Sequence, residues 1–405
     1  MMIGLYLFQA NLSAVPILIA VALIIIIGYI GRALFNRTKI PEALILILIG
    51  LLLVPIGHLL PQNYVNALRS LTSIFGDLAL VVIMYNGGKA IGLNQGMLRN
   101  TKGIYLGILD SLVPIIAITA IMAAFGWPLI YGALLGAILG ETSTLIVIPI
   151  IKKIKMPEDM YTTLVMETTL NSVLAILFFT LLLSFTNGQP LSASSFANFA
   201  VDYVSVAIAL GLVAGLIWLL VQSYIRGARE YVASLAVAIL LFGIVDLFNG
   251  AAAVSVLIFA IILGNYKSIS EQLGLKIDIN KKERRDTHVV ERDMEFLIMT
   301  FFFVFIGMIA LFSVQYLIYA LIVTLGLVII RYVEVKYVFD GDKLYRDTAF
   351  ALMQRGAVVA VLAAIAFSIG GGYFYQIFYI CFMVLIFTNI LGSVLTHRIK
   401  LDIKQ

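Results

Sequence analysis

Apolar runs recur along this chain, and each has about the length, 17–25 residues, that crosses ~30 Å of hydrocarbon as an α-helix. In lipid, every backbone N–H and C=O must be satisfied within the protein, so such runs become helices packed side by side. Composition agrees. Of the 405 residues, 62% are hydrophobic and 12% charged, whereas a soluble domain carries about 25% charged residues. A soluble enzyme is excluded, and an all-α polytopic membrane protein is predicted. The net charge of +5 is expected to reflect basic cytoplasmic loops facing anionic lipid headgroups, with no nucleic-acid partner. The single cysteine, Cys381, cannot form an intrachain disulfide.

Thirteen spans are read from the sequence: residues 14–34, 41–57, 69–91, 103–126, 128–151, 160–185, 196–224, 229–247, 250–265, 293–312, 314–333, 347–370 and 373–396. With the N-terminus outside and the C-terminus cytoplasmic, all of the 27 Lys and Arg residues fall on the cytoplasmic side except Arg69 and Arg355, as the positive-inside rule requires. Arg331, Lys336, Lys343 and Arg346 are placed there, as is the charged stretch from Lys281 to Glu295, read as a cytoplasmic loop. Parity then divides the chain. Residues 1–190 form one six-helix unit and residues 226–405 a second of opposite orientation, joined by a linking helix in 191–225. Inverted repeats of this kind are typical of secondary transporters, whose sites lie at mid-membrane where helices are interrupted. The fifth members of the two units, Gly132 to Thr144 and Ala351 to Val358, each set polar residues beside glycine and are predicted to be discontinuous crossing helices.

The ionisable residues placed inside spans are Asp77, Asp110, Glu141, Glu167, Asp202, Asp246 and Arg355. Each costs about 2.5–3.5 kcal/mol or more at mid-bilayer. The excess of carboxylates suits a cation pathway. Arg355 keeps its proton and needs a partner; Glu167 is the expected one, in a pair that either serves transport or only holds the units together. Glu167 and Asn171 share one face of the sixth span, with Thr168 and Ser172 on the neighbouring face. Glu141, Thr142, Ser143 and Thr144 suit an unwound stretch whose oxygens replace an ion's hydration shell. The histidines, His58, His288 and His397, fall in loops or at ends. No catalytic residues and no cofactor are therefore expected.

These segments resemble the monovalent cation:proton antiporter superfamily, particularly its NhaP-like and Kef-like members. Gly136-Ala-Ile-Leu-Gly140-Glu141-Thr142-Ser143-Thr144 resembles the unwound fifth helix of that family. Glu167-Thr-Thr-Leu-Asn171-Ser172 resembles its sixth, Phe301 to Met308 its tenth, and Arg355-Gly-Ala-Val the crossing helix of its second half. The resemblance covers nearly the whole chain. It implies a plasma-membrane homodimer with a dimerisation domain and a mobile six-helix core, exchanging Na+ or K+ for H+ by alternating access. It also implies a Glu167–Arg355 core pair, and Thr142 and Asn171 at the ion site.

The sequence departs from the family at one decisive position. The ion-binding aspartate is replaced by Ser172, which cannot titrate near neutral pH. Glu141 is expected to supply the missing carboxylate, so the cation is placed at Glu141, Thr142 and Asn171, with Ser143, Thr144 and Ser172 around it. One carboxylate binding either a proton or a monovalent cation gives electroneutral exchange. The competing readings are a conductor uncoupled from protons and a transport-dead membrane sensor.

Overall fold

The structure is a computed structural model that describes residues 14–38, 42–53, 62–92, 100–154, 156–187, 193–222, 228–272, 281–310 and 313–402. Among these the secondary structure is entirely helical. The first helices are α1 (Ala14–Thr38), α2 (Glu42–Leu52) and α3 (Gln62–Ala90). Next come α4 (Thr101–Ala124), α5 (Leu129–Leu139), α6 (Thr144–Ile154) and α7 (Glu158–Ser184). The middle of the chain supplies α8 (Ala193–Gln222), α9 (Ala228–Leu247), α10 (Ala252–Gly264) and the short α11 (Tyr266–Gln272). The last are α12 (Lys281–Ile309), α13 (Val314–Val338), α14 (Lys343–Ala351), α15 (Ala357–Ile369) and α16 (Gly372–Asp402). Among the described residues, seven helices are long and apolar enough to cross a membrane unbroken, α4, α7 and α13 among them.

Two spans are interrupted. Backbone between α5 and α6 leaves the helix at residues 140–143, and that between α14 and α15 at residues 352–356. Helix starts are fixed by side chains. Asn100 accepts from the Gly103 N–H at 2.9 Å to start α4, and Asp342 accepts from the Tyr345 N–H at 3.1 Å to start α14, each satisfying a donor the first turn leaves free.

Packing sorts the helices into two groups, each drawing on both halves of the chain. Helices α4 to α7 pack with α13 to α16, whereas α1, α2 and α3 pack with α8, α9, α10 and α12. Contacts of α15 with α3 and α12 join the groups. Association in lipid gains little from apolar burial and depends on close backbone approach at small residues. The α4–α5 contact illustrates this. A β-carbon on Gly136 would lie 2.6 Å from Ile115 Cα, and one on Gly140 2.9 Å from the Asp110 carbonyl oxygen. Pro114, four residues after Asp110, has no N–H to give that carbonyl.

Two sequence expectations are corrected here. The stretch from Lys281 to Glu295 is not a loop but the first half of α12. Two of its acidic residues face inward, where Glu291 accepts from Lys89 at 3.1 Å and Glu295 accepts from Asn86 at 3.1 Å. Helix α13 continues past residue 333 to Val338, and Arg331, expected at a cytoplasmic end, is 1% exposed.

Replacing Gly136 with leucine forces α4 and α5 apart. Overpacking of this kind costs about 1–3 kcal/mol, so Gly136→Leu is expected to lower the thermal unfolding midpoint in detergent clearly. A midpoint equal to wild type would contradict the close contact.

Candidate functional site

The two helix breaks meet. Ser143 donates its backbone N–H to the Gln354 carbonyl at 2.9 Å, and the Arg355 guanidinium donates to the Glu141 carbonyl at 2.7 Å. Each break thus supplies partners for polar groups the other has lost from its helix, as buried backbone requires. The approach is so close that a β-carbon on Gly356 would overlap Ser143; only glycine fits. Asn389 of α16 supports the second break by donating to the Arg355 carbonyl at 2.9 Å.

Around this crossing lie two polar clusters. The first centres on Glu141, which is 1% exposed. Its Oε1 accepts from Ser172 Oγ at 3.3 Å, and its Oε2 accepts from the Gly356 N–H at 3.3 Å. Ser172 also donates to the Thr168 carbonyl at 2.8 Å. A cavity of about 750 Å³ borders this cluster, with Ser143, Thr144, Ser172 and Gly356 in its wall. It runs between the two helix groups toward Asn86 and Glu295.

The second cluster centres on Arg331, and its residues do not line the cavity. Its Nη1 lies 2.6 Å from Glu167 Oε1 and 3.2 Å from Asp110 Oδ2. Nε and Nη2 donate to the Ala349 carbonyl at 3.2 and 3.0 Å. One planar guanidinium thus bridges two carboxylates, offsetting one of their two charges, and closes the C-terminal end of α14, where carbonyls are left without helical partners. Asn171 Nδ2 donates to Thr142 Oγ1 at 2.6 Å and to Asp110 Oδ2 at 3.2 Å. Thr142 lies 3.4 Å from that same oxygen and 3.5 Å from Glu167 Oε1.

The expected core pair is therefore corrected. Glu167 pairs with Arg331, not Arg355, because α13 brings Arg331 alongside α4 and α7 at the level of Asp110. Arg355 is held by the Glu141 carbonyl, and its Nη1 lies 3.9 Å from Asp110 Oδ2. The six residues expected around one ion are also divided. Ser143, Thr144 and Ser172 line the cavity with Glu141 bonded behind Ser172, whereas Thr142 and Asn171 join the Arg331 cluster. The adjacent side chains take different partners: Glu141 turns to Ser172 and Gly356, and Thr142 to Asn171 and Asp110.

Sequence reasoning missed Arg331 and Glu334. Glu334, one turn after Arg331, is 4% exposed, and both its carboxyl oxygens are buried without a hydrogen-bond partner. The available signal was an Arg–Glu pair three residues apart, followed by further apolar residues to Val338. The other acidic residues have ordinary places. Asp77 is half-buried, Asp202 is exposed, and Asp246 caps the turn before Gly250 by accepting from the Asn249 N–H at 2.9 Å through its carbonyl.

The family model for the transmembrane region of sodium/hydrogen exchangers matches residues 19–399. Sodium/hydrogen exchanger 8 of Arabidopsis thaliana is 23% identical over 227 residues, 53% of this chain and 30% of that protein. The chain thus aligns with under a third of that relative's length. The sodium proton antiporter MjNhaP1 of Methanocaldococcus jannaschii, in its pH 8 structure, superposes with a TM-score of 0.75 at 20% identity, over 95% of this chain and 97% of the other. An electron-microscopy structure of the same antiporter gives 0.73 at 19% identity, over 96% and 98%. The polytopic membrane fold is shared.

Removing Arg331 leaves Glu167 and Asp110 as buried, uncompensated charges, a change worth about 3–5 kcal/mol. Arg331→Ala is accordingly expected to be strongly destabilised in thermal unfolding. In double-mutant cycles the Arg331–Glu167 coupling is expected to exceed that of Arg355–Glu167; the reverse order would restore the pairing expected from sequence.

Proposed function

The chain belongs to the sodium/hydrogen exchanger family, and from that premise we propose that it exchanges Na+ for H+ by alternating access, with Glu141 as the carboxylate for which the two ions compete. It is a transporter, not an enzyme. One observation carries the assignment of Glu141. It is the buried carboxylate of the crossing that forms no side-chain ion pair among the described residues, and it stands directly behind Ser172 and Gly356 in the cavity wall. Asp110 and Glu167 are committed to Arg331.

The chemistry follows from competition. An ion entering the cavity meets the hydroxyls of Ser143, Thr144 and Ser172, which replace part of its hydration shell before it reaches Glu141. A carboxylate in this position holds either one proton or one monovalent cation, because binding either removes the buried charge. Release on the other side requires the α4–α7 and α13–α16 group to move against the remaining helices, and the cavity lies along the seam where such motion would occur. One charge carried each way makes the exchange electroneutral. Lowering pH raises proton occupancy of Glu141, so apparent Na+ affinity is expected to fall as the medium becomes more acidic.

Na+ is preferred over K+ in this proposal on the family's description. Assembly as a homodimer, residence in the plasma membrane, thirteen spans in two inverted repeats and basic loops against anionic lipid belong to the same reading.

Glu141→Gln is expected to fold but give no cation-evoked proton flux in proteoliposomes. Ser172→Ala loses one hydrogen bond, worth about 0.5–1.5 kcal/mol, so its apparent Na+ affinity should weaken by roughly tenfold or less. Exchange retained in Glu141→Gln would sink the assignment.

A further inference from the structure

The Arg331 cluster contains a hydrogen-bond deficit that transport does not explain. Asp110 directs its partners to one oxygen: Oδ2 meets Arg331, Asn171 and Thr142, while the buried Oδ1 has no partner. Glu334 is 4% exposed, and both its carboxyl oxygens are likewise buried without a partner. Glu334 stands one helical turn after Arg331, whose guanidinium bonds Asp110 Oδ2, so both carboxyls belong to one buried cluster. Two carboxylates offer acceptors only, so this arrangement is repulsive unless one carries a proton. A single hydrogen on Glu334 removes one buried charge and gives the cluster a donor that Asp110 Oδ1 lacks.

The charge inventory leads to the same place. Four fully buried carboxyls, Asp110, Glu141, Glu167 and Glu334, stand against two guanidiniums, Arg331 and Arg355. With all four ionised, two negative charges remain uncompensated in a low-dielectric interior. A neutral Glu334 leaves one, which matches one proton or one monovalent cation on Glu141. The charged groups acting on Glu334 are Asp110 of α4, Arg331 of its own helix and Arg355 of the second break. Glu167 of α7 is held by Arg331 through the same Nη1 that meets Asp110.

We infer that Glu334 is a resident carboxylic acid, a positioning residue whose proton is donated to Asp110 and stays in place throughout the exchange cycle. Fixed in this way, Asp110 keeps Oδ2 turned to Arg331, Asn171 and Thr142, and so holds the first helix break in position. The charge argument rests on the exchange reading above; the hydrogen-bond argument does not.

Infrared spectroscopy tests this directly. In the Glu141→Gln background, which removes the carboxyl proposed to titrate during transport, a C=O stretch of an un-ionised carboxylic acid should persist to the alkaline limit of exchange. It should shift when glutamate is labelled with 13C at the side-chain carboxyl, and vanish in Glu141→Gln/Glu334→Gln. The labelled single variant assigns the band to a glutamate even where the second does not fold. In transport, Glu334→Gln supplies an amide N–H in place of the O–H, a hydrogen bond of similar worth, and should keep exchange within about threefold and the pH profile in place. Glu334→Ala should lose activity that glutamine restores. No glutamic acid band, or a shifted pH profile in Glu334→Gln, would overturn the inference. If wild type shows no exchange but the band is present, the exchange reading fails and the resident proton stands.

Discussion

Breaking two helices inside a membrane exposes carbonyls and N–H groups that lipid cannot satisfy, and everything near the centre of this protein answers that demand. The breaks satisfy one another, through Ser143 and the Gln354 carbonyl and through Arg355 and the Glu141 carbonyl. The fit leaves no room for a side chain at position 356. Arg331 closes the end of α14 at Ala349. What the crossing holds is a buried carboxylate, Glu141, whose oxygens accept from Ser172 and the Gly356 N–H.

The division into two clusters gives each a separate task. Arg331, Glu167 and Asp110 form a closed node of paired charge, with Asn171 and Thr142 orienting its acceptors. Breaking such a node is costly because the partner left behind stays buried. Ser172 stands in the cavity wall with Glu141 directly behind it, bonded to Ser172 and the Gly356 N–H and to no cationic side chain among the described residues. In this account the node provides rigidity and the wall provides exchange.

Much of this was legible in the sequence. Runs of apolar residues gave the helices, and Gly140-Glu-Thr-Ser and Gln354-Arg-Gly marked both breaks, because glycine beside polar groups is a poor continuation of a lipid-facing helix. Arg331 was not legible for a physical reason. A basic residue near the end of an apolar run reads as an interfacial anchor, and only tertiary burial distinguishes it from a core cation. Glu167 then had two possible arginines, and sequence proximity to a glycine break favoured the wrong one. Glu141 and Thr142 read as one site because they are adjacent, although the backbone between them is not helical and separates their side chains. The charges of Lys281 to Glu295 suggested a loop; α12 accommodates them because Glu291 and Glu295 find Lys89 and Asn86.

The central claim is that a chain with serine at the family's aspartate position still couples a cation to a proton. The most direct measurement is proton flux in proteoliposomes holding the wild-type protein under an imposed pH gradient, with voltage clamped and Na+ added. The account predicts dissipation of the gradient on adding Na+, unchanged by the clamped voltage. A gradient untouched by Na+, with correctly inserted protein confirmed, would contradict it.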